Sequence, residues 1–150
     1  MNVEMNLSEQ LAVCATIDPE AQTASAVNTD VIDMQKFDRV LFIVSVGEMT
    51  TNGTVDFAVK SDSASGGSYA TAEASITQLT EAGGDSDKQV LVEVRAIDVA
   101  ANGNRYIRGT LTTATAASDV SVVAIGTPRF GSPVTSIDLA SVDEIVAPSS

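Results

Sequence analysis

The amino-acid sequence predicts an all-β fold, an antiparallel β-sandwich or jelly roll with a core of about six to eight strands. Segments rich in Val, Ile and Thr recur about every eight to twelve residues, and turns of Gly, Ser, Asn and Asp separate them. No long helical pattern interrupts the series. The chain of 150 residues has the length of one ordinary domain.

The first 22 residues are predicted to form an N-terminal arm or a short helix, and both interpretations stay open. Leu7, Leu11 and Cys14 follow the spacing of one helix face, and Pro19 is expected to stop a helix that begins before it. Cys14 is the single cysteine and has apolar neighbours. We therefore expect a buried thiol that packs like a small apolar residue.

The sandwich itself is predicted over residues 23–129. Residues 23–34 mix apolar and polar residues with a period of two, which is typical of an edge strand. Residues 39–47 are almost all apolar, and this run predicts a strand that is buried on both faces. The Asn-Gly pair that follows predicts a tight β-hairpin leading into an alternating strand over 55–62.

The second half of the predicted sandwich contains further strands. Residues 61–72 form a loop of Ser, Gly and Ala, and residues 75–84 fit a strand or one helical turn equally well. Residues 88–98 alternate with valines on one face, and another Asn-Gly turn leads to a strand over 105–115 that we expect to be half exposed. The last strand covers residues 119–128 and ends at a proline, which cannot donate to a ladder.

The charge of the chain argues against polyanionic partners. Its 20 acidic and 8 basic residues give a formal net charge of -12, and the basic residues are spread along the sequence. Nucleic acid and anionic membrane surfaces would therefore meet a repulsive field. The sequence also lacks an apolar run of the roughly 18 residues that a membrane span needs, and it does not begin like a signal peptide. We expect synthesis in a cytoplasm, with no nucleic-acid partner and no membrane partner.

The composition also argues against catalysis. The chain has no histidine, the commonest residue for proton transfer near neutral pH, and its thiol has no imidazole to activate it. Asp85 and Asp87 resemble a fragment of a calcium loop but lack the downstream ligands, so a solvated turn is the favoured interpretation. Carboxylate pairs of the kind that glycosidases use arise by chance among so many acids; they are Asp30 with Asp33, Asp56 with Asp62, and Asp143 with Glu144. We predict no enzymatic activity, no metal and no cofactor.

Two segments are candidates for contacts with other chains. Arg105, Tyr106 and Arg108 lie close together, and a tyrosine beside two arginines is a typical interface anchor. The favoured alternative is that the arginine stems lie on the sheet and pair with nearby acids. Residues 130–150 contain two prolines, several serines and isolated apolar residues. They are predicted to form a C-terminal arm that packs on its own domain or on a neighbour.

Residues 23–130 resemble a family of small structural proteins of tailed bacteriophages that are encoded beside the major capsid protein. The shared pattern runs from Asp-Met through Phe-Asp-x-Val-x-Phe and Val-Gly to a strand that ends in Ser-Asp, and later includes Arg-Tyr-Ile-Arg and Gly-x-Pro. In this sequence the matching positions are Asp33 and Met34, Phe37 to Phe42, Val46 and Gly47, Ser61 and Asp62, Arg105 to Arg108, and Gly126 to Pro128. These motifs are structural rather than catalytic.

The resemblance implies a capsid decoration, or cement, protein with a β-sandwich core. Such a protein binds the outer surface of the shell built from the major capsid protein and stabilises it, usually as a homo-oligomer, here a dimer or trimer. The expected location is the exterior of the virion. The residues predicted to make contacts are Leu7, Leu11, Arg105, Tyr106, Arg108, Ile137, Leu139, Val142, Ile145 and Val146.

Two other functions stay open. One is a different component of the virion, in the tail, the neck or a head fibre, where a similar sandwich contacts different neighbours. The other is a glycan-binding adhesion module. The small number of aromatic residues, four Phe and two Tyr, argues against the glycan-binding function because sugars stack on aromatic rings.

Overall fold

The computed structural model describes residues 5–131 and 137–147, and it confirms the predicted all-β sandwich. An antiparallel sheet of four strands and one of six pack against each other around an apolar core. The strands in chain order are β1 (Ala12–Gln22), β2 (Ser25–Asn28), β3 (Ile32–Asp33), β4 (Phe37–Met49), β5 (Thr54–Asp62), β6 (Thr71–Ser75), β7 (Leu79–Thr80), β8 (Lys88–Arg95), β9 (Tyr106–Ala114) and β10 (Ser118–Pro128). The helical elements are the single turn α1 (Leu7–Gln10), α2 (Ala96–Ala101) and a 3₁₀ turn at Glu81–Gly83.

The two sheets are assembled from strands that are distant in sequence. The four-stranded sheet has the order β1-β10-β4-β8. The six-stranded sheet has the order β2-β9-β5-β6, with β3 added beside β9 and β7 beside β5. The edge strand predicted over 23–34 is present as two short strands, β2 and β3, which both pair with β9, and β2 lies at one end of the six-stranded sheet. The alternation predicted for β5 and β9 is also confirmed, since every second residue of each strand is buried.

The predicted β-hairpin at Asn52 and Gly53 is wrong, although the tight turn itself is present. Asn52 has a φ of 64°, and the Gly53 N–H donates to the Thr50 carbonyl at 2.7 Å. The strands on either side belong to different sheets, since β4 pairs with β10 and β8 whereas β5 pairs with β9, β6 and β7. An Asn-Gly pair specifies the reversal of the chain but not the partner of the next strand.

The strand predicted over 88–98 is shorter than expected. β8 ends at Arg95, and the residues after it form α2, in which Ala96 and Val99 are buried. The helix and the Asn-Gly turn that follows it carry the chain from the four-stranded sheet to β9 in the other sheet. Because the spacing of three residues places both buried side chains on one helix face, this short helix covers the core at the crossing between the sheets.

Of the arm or short helix predicted over residues 1–22, the described part contains one helical turn at Leu7–Gln10, and the residues from Ala12 onwards form a strand instead. After α1, β1 pairs with β10 along the edge of the four-stranded sheet, and its inward side chains belong to the core. Pro19 does not end the strand because it lies at a register shift between Ile17 and Glu20, where the ladder is irregular. Cys14 is buried as predicted, and burial raises the pKa of its thiol to about 12. The first four residues lie outside the described residues.

The prediction that residues 39–47 are buried on both faces is wrong. In β4 the burial alternates, so that Phe42 and Val44 are fully buried while Leu41 and Ile43 are only partly covered. The neighbouring Leu91 on β8 is 64% exposed. The outer side of this sheet therefore faces solvent, and the continuous apolar run marks an exposed apolar face.

Two glycines allow aromatic rings to fill the core. Phe42 and Phe57, from opposite sheets, have ring centroids 5.6 Å apart. A Cβ atom at Gly126 would lie 2.4 Å from Cδ1 of Phe37, and one at Gly109 would lie 2.6 Å from Cζ of Phe57. The absence of a side chain at these positions therefore lets the rings lie directly against β10 and β9.

Replacing Gly126 with alanine is expected to destabilise the fold by about 1–3 kcal/mol, because the buried Phe37 ring must leave its packed position. Gly66→Ala is the matched control, since a Cβ atom at Gly66 meets nothing within 4 Å. The control is expected to change the free energy of unfolding by no more than about 0.5 kcal/mol. Urea unfolding measures both variants, and equal stability would show that the ring accommodates the added methyl group.

Candidate binding surfaces

The outer face of the four-stranded sheet carries a row of aliphatic side chains, which we call the apolar stripe. It consists of Leu41, Ile43, Leu91, Val123 and Ile125. Val123, Ile43 and Leu91 are direct cross-strand neighbours on β10, β4 and β8. Leu91 is 64% exposed and Val123 is 37% exposed. Contiguous exposed apolar side chains of this kind mark interaction surfaces.

Charged side chains border one end of the apolar stripe. Arg39 lies 3.6 Å from Glu93, and Arg95 pairs with Asp98 at 2.8 Å, both as exposed ion pairs. An open depression of about 220 Å³ joins this end to the stripe, and Leu11, one of the predicted contact residues, lines it. Because exposed ion pairs contribute little to stability, these charges are available to a partner surface.

The opposite end of the same face is acidic. Glu20, Asp87 and Asp119 line an open depression of about 510 Å³, together with Ser45 and Gln89. The face therefore runs from mixed charge through an apolar centre to a negative end. Such a gradient favours one orientation of a bound partner over the reverse.

The outer face of the six-stranded sheet is polar by contrast. Its central strands present Thr110 and Thr112 from β9, and Thr112 lies opposite Asp56 on β5. The Thr110 hydroxyl donates to Asn28 at 2.8 Å, and the Gln78 amide donates to Asp56 at 2.7 Å. Short polar side chains that already bond one another thus occupy the middle of this face.

At one end of the polar face Arg105 pairs with an acid. Its guanidinium forms a two-point ion pair with Asp33, with Nε–Oδ1 at 2.8 Å and Nη2–Oδ2 at 2.6 Å, and lies 4.9 Å from the centroid of the Tyr106 ring. The hydrogen bond from Arg105 lowers the pKa of the Asp33 carboxyl. The pair ties β3 to the residue before β9, which matches the interpretation that the arginines pair with nearby acids.

Arg108 makes no such pair among the described residues, so that interpretation is wrong for this side chain. Its guanidinium carbon lies 4.4 Å from the centroid of the Tyr69 ring, and its buried Nε has no hydrogen-bond partner. Lys60 lies directly across from Arg108 on β5, on the same outer face, and it also has no carboxylate within 4 Å in the described part of the chain. We call this group the Lys60–Arg108 site.

Tyr69 reaches the Lys60–Arg108 site through a strained loop. Its φ of 52° is a left-handed value that is rare for a bulky residue. Asp62 accepts hydrogen bonds from the amides of Ala64 and Tyr69 at 3.0 and 3.1 Å, and the Tyr69 hydroxyl donates to the Ser65 carbonyl at 2.8 Å. No pattern in the sequence marks Tyr69 and Lys60 as site residues, because only the loop conformation and the β5–β9 register bring them beside Arg108.

The described part of the C-terminal arm attaches to the edge of the four-stranded sheet. The Leu139 N–H donates to the Val13 carbonyl at 2.9 Å, and the Val13 N–H donates to the Asp138 carboxylate at 2.7 Å. Ile137 packs against the core. At this point the arm therefore lies on its own domain.

The predicted contact residues do not form one surface. Leu11 borders the apolar stripe, whereas the arginine segment lies on the other sheet and the C-terminal arm lies along β1. The remaining predicted residues are exposed or partly exposed, and they are Leu7, Val142, Ile145 and Val146. Residues 132–136 and 148–150 of the predicted arm lie outside the described residues.

Two carboxylates from the acidic pairs noted in the sequence accept local backbone hydrogen bonds. Asp85 accepts a hydrogen bond from the Thr80 amide at 2.9 Å, and Asp30 accepts one from the Thr16 amide at 3.1 Å. Within residues 5–131 and 137–147, no three His, Cys, Asp or Glu side chains are grouped so as to hold a metal ion. In the same ranges no helix is long and apolar enough to cross a membrane.

Asp33→Asn is expected to destabilise the fold at pH 7 and to have little effect in acid. Because the folded-state pKa of Asp33 is lowered, ionised Asp33 stabilises the fold above its unfolded pKa of about 3.9, and this contribution disappears as the pH falls through the folded-state value. Urea unfolding from pH 7 downwards compares the variant with the unmodified chain. Asp143→Asn, at an exposed position, is the control. A stability difference that is independent of pH would show that the ion pair is not its cause.

No protein-family model matches the chain, and no curated protein sequence matches it significantly.

Proposed function

We propose that the chain is a non-enzymatic structural protein of a bacteriophage virion, a head decoration protein that binds the outer surface of the major capsid protein shell and stabilises it. The observation that carries the proposal is the exposed apolar stripe on a continuous sheet. The resemblance of residues 23–130 to small phage structural proteins supports the same assignment. In this role the protein is made in the host cytoplasm and acts on the exterior of the virion.

The apolar stripe is suited to adhesion to another protein. Its side chains lie on three hydrogen-bonded strands, so their positions are set before binding and little conformational entropy is lost. Covering the exposed surface of Leu91 and Val123 favours binding by about 25 cal/mol for each Å² of apolar area removed from water. The charged ends of the face give the bound protein one orientation.

Because a shell presents many equivalent binding sites, a modest interface at each site is sufficient for stable attachment. A dimer or trimer of the chain engages more than one shell site, and each contact after the first is intramolecular. Ile145 and Val146 are 41% and 83% exposed, and Leu7 is 54% exposed. We assign these three side chains to contacts with neighbouring copies or with the shell.

The strong negative charge is compatible with a position outside the shell. A formal charge of -12 keeps the protein soluble and disfavours contact with packaged DNA. The stripe itself contains no charged side chain, so it can approach a protein surface without transferring an unpaired charge out of water.

Leu91→Asp is expected to weaken binding to capsids that lack this protein at least about tenfold, because a carboxylate replaces the most exposed side chain of the stripe. Thr112→Asp is the matched control, since it adds the same charge to the outer face of the other sheet. Co-sedimentation measures the affinity and stoichiometry, and thermal unfolding of each variant verifies its fold. Saturable binding at a fixed ratio, with greater resistance of the shell to heat, is the expected result for the unmodified chain.

Two outcomes would contradict the proposal. Equal capsid binding by the Leu91→Asp and Thr112→Asp variants would show that the apolar stripe does not contact the shell. Absence of binding by the unmodified chain would reject shell decoration and favour a location in the tail, the neck or a head fibre. A glycan array would then test the adhesion function.

A further inference from the structure

We propose that the Lys60–Arg108 site binds a carboxylate side chain of a partner protein. The site lies on the outer face of the six-stranded sheet, on the opposite side of the sandwich from the apolar stripe. It therefore gives the molecule a second contact surface, and its function does not depend on decoration of a shell.

Arg108 is held in a conformation that suits a carboxylate. Its guanidinium lies over the buried Tyr69 ring, with 4.4 Å between the guanidinium carbon and the ring centroid. This contact holds the guanidinium over the ring, and its Nε is buried without a hydrogen-bond partner. The terminal amino groups remain to form two parallel hydrogen bonds with a carboxylate, the arrangement for which the guanidinium group is shaped.

Lys60 adds a second positive charge to the same place. Residues directly opposite on antiparallel strands have Cβ atoms about 4.5–5.5 Å apart, and like charges at such positions repel. In the described part of the chain no carboxylate oxygen lies within 4 Å of the charged nitrogens of Lys60 or Arg108. A bound carboxylate offsets this repulsion and accepts new hydrogen bonds, and both contributions favour its binding.

The lack of an internal partner is unusual for this composition. The chain has 20 acidic and 8 basic residues. Carboxylates pair with the other four arginines, which are Arg39, Arg95, Arg105 and Arg129. Arg108 thus differs from the other arginines. Its guanidinium contacts an aromatic ring instead of a carboxylate, and Lys60 lies beside it.

The loop that carries Tyr69 supports a binding role. A left-handed backbone at a tyrosine costs energy, and such residues cluster at sites where geometry serves binding. Two hydrogen bonds maintain the conformation, one from the Tyr69 amide to Asp62 and one from the Tyr69 hydroxyl to Ser65. The strained residue supplies the aromatic surface beneath Arg108.

The surroundings favour a single carboxylate over a phosphate or a polyanion. Asp62 lies on the same face as Lys60, two positions along β5, and Asp56 lies further along the same strand. These acids repel a group that carries more than one negative charge. Lys60 and Arg108 carry two positive charges and the neighbouring Asp62 carries one negative charge, so the local net charge is one positive and a single carboxylate balances it.

Nuclear magnetic resonance of the full chain tests the site directly, with Arg108 Nε–Hε as the reporter. The probe is the blocked tripeptide acetyl-Gly-Glu-Gly-amide, titrated at constant ionic strength, and its Gln counterpart is the neutral control. We expect a saturable shift of the Arg108 resonance with the Glu peptide and no shift with the Gln peptide. Dilution of the chain without peptide shows whether a second copy already supplies the carboxylate, since the resonance then moves with concentration.

Variants identify the groups that bind. Lys60→Gln and Arg108→Lys are each expected to weaken peptide binding about tenfold. Lys60→Gln removes one charge-assisted contact, and Arg108→Lys keeps the charge but removes the planar guanidinium that binds both carboxylate oxygens. Lys88→Gln, at an exposed lysine on the other sheet, is expected to leave binding unchanged. Thermal unfolding verifies that each variant is folded.

Three results would overturn the proposal. The first is an Arg108 resonance that shows no saturable shift with the Glu peptide and no shift on dilution. The second is a Lys88→Gln variant that weakens binding as much as Lys60→Gln does. Tighter binding of inorganic phosphate than of the peptide would instead identify a site for small oxyanions.

Discussion

The pairing of β4 with β10 determines which side chains face the core and which face a partner. These strands pair in the middle of the four-stranded sheet, with Val44 opposite Val122 on the inner side and Ile43 opposite Val123 on the outer side. Because side chains alternate along a strand, a shift of one residue would exchange the two sets. Close contact between Gly126 and the Phe37 ring holds the register at one end. The core and the apolar stripe therefore depend on the same alignment.

The local sequence pattern predicts where the strands lie and which of their side chains are buried better than it predicts which strands pair. Alternation in β5 and β9 identified their buried residues, and the Asn-Gly turns identified the chain reversals. The partner of each strand is a long-range property, so the Asn-Gly pair at Asn52 predicts a hairpin, whereas the turn joins the two sheets. The apolar run of β4 predicts a strand buried on both faces, because such a run does not distinguish a fully buried strand from one with an exposed apolar face.

Less of the candidate sites could be predicted, because they are assembled across strands. The sequence from Arg105 to Arg108 predicts an interface anchor, but its composition does not show that the two arginines have different partners. Asp33 pairs with Arg105 because β3 lies beside β9, and Tyr69 lies beneath Arg108 because a strained loop places it there. Lys60 becomes relevant only through the β5–β9 register. Each of these contacts joins residues from separate elements.

The two surfaces differ in the physical origin of their affinity, which allows them to act independently. Burial of the apolar stripe depends on the removal of water from aliphatic groups, and salt does not screen that effect. A carboxylate at the Lys60–Arg108 site is held by charge on an open face, where ions weaken the attraction. The negative charge of the whole molecule also opposes the approach of an acidic partner, so binding there needs the close, directional contact that a stacked guanidinium offers. One side of the sandwich is thus suited to a broad contact with a large surface and the other to recognition of a single acidic group.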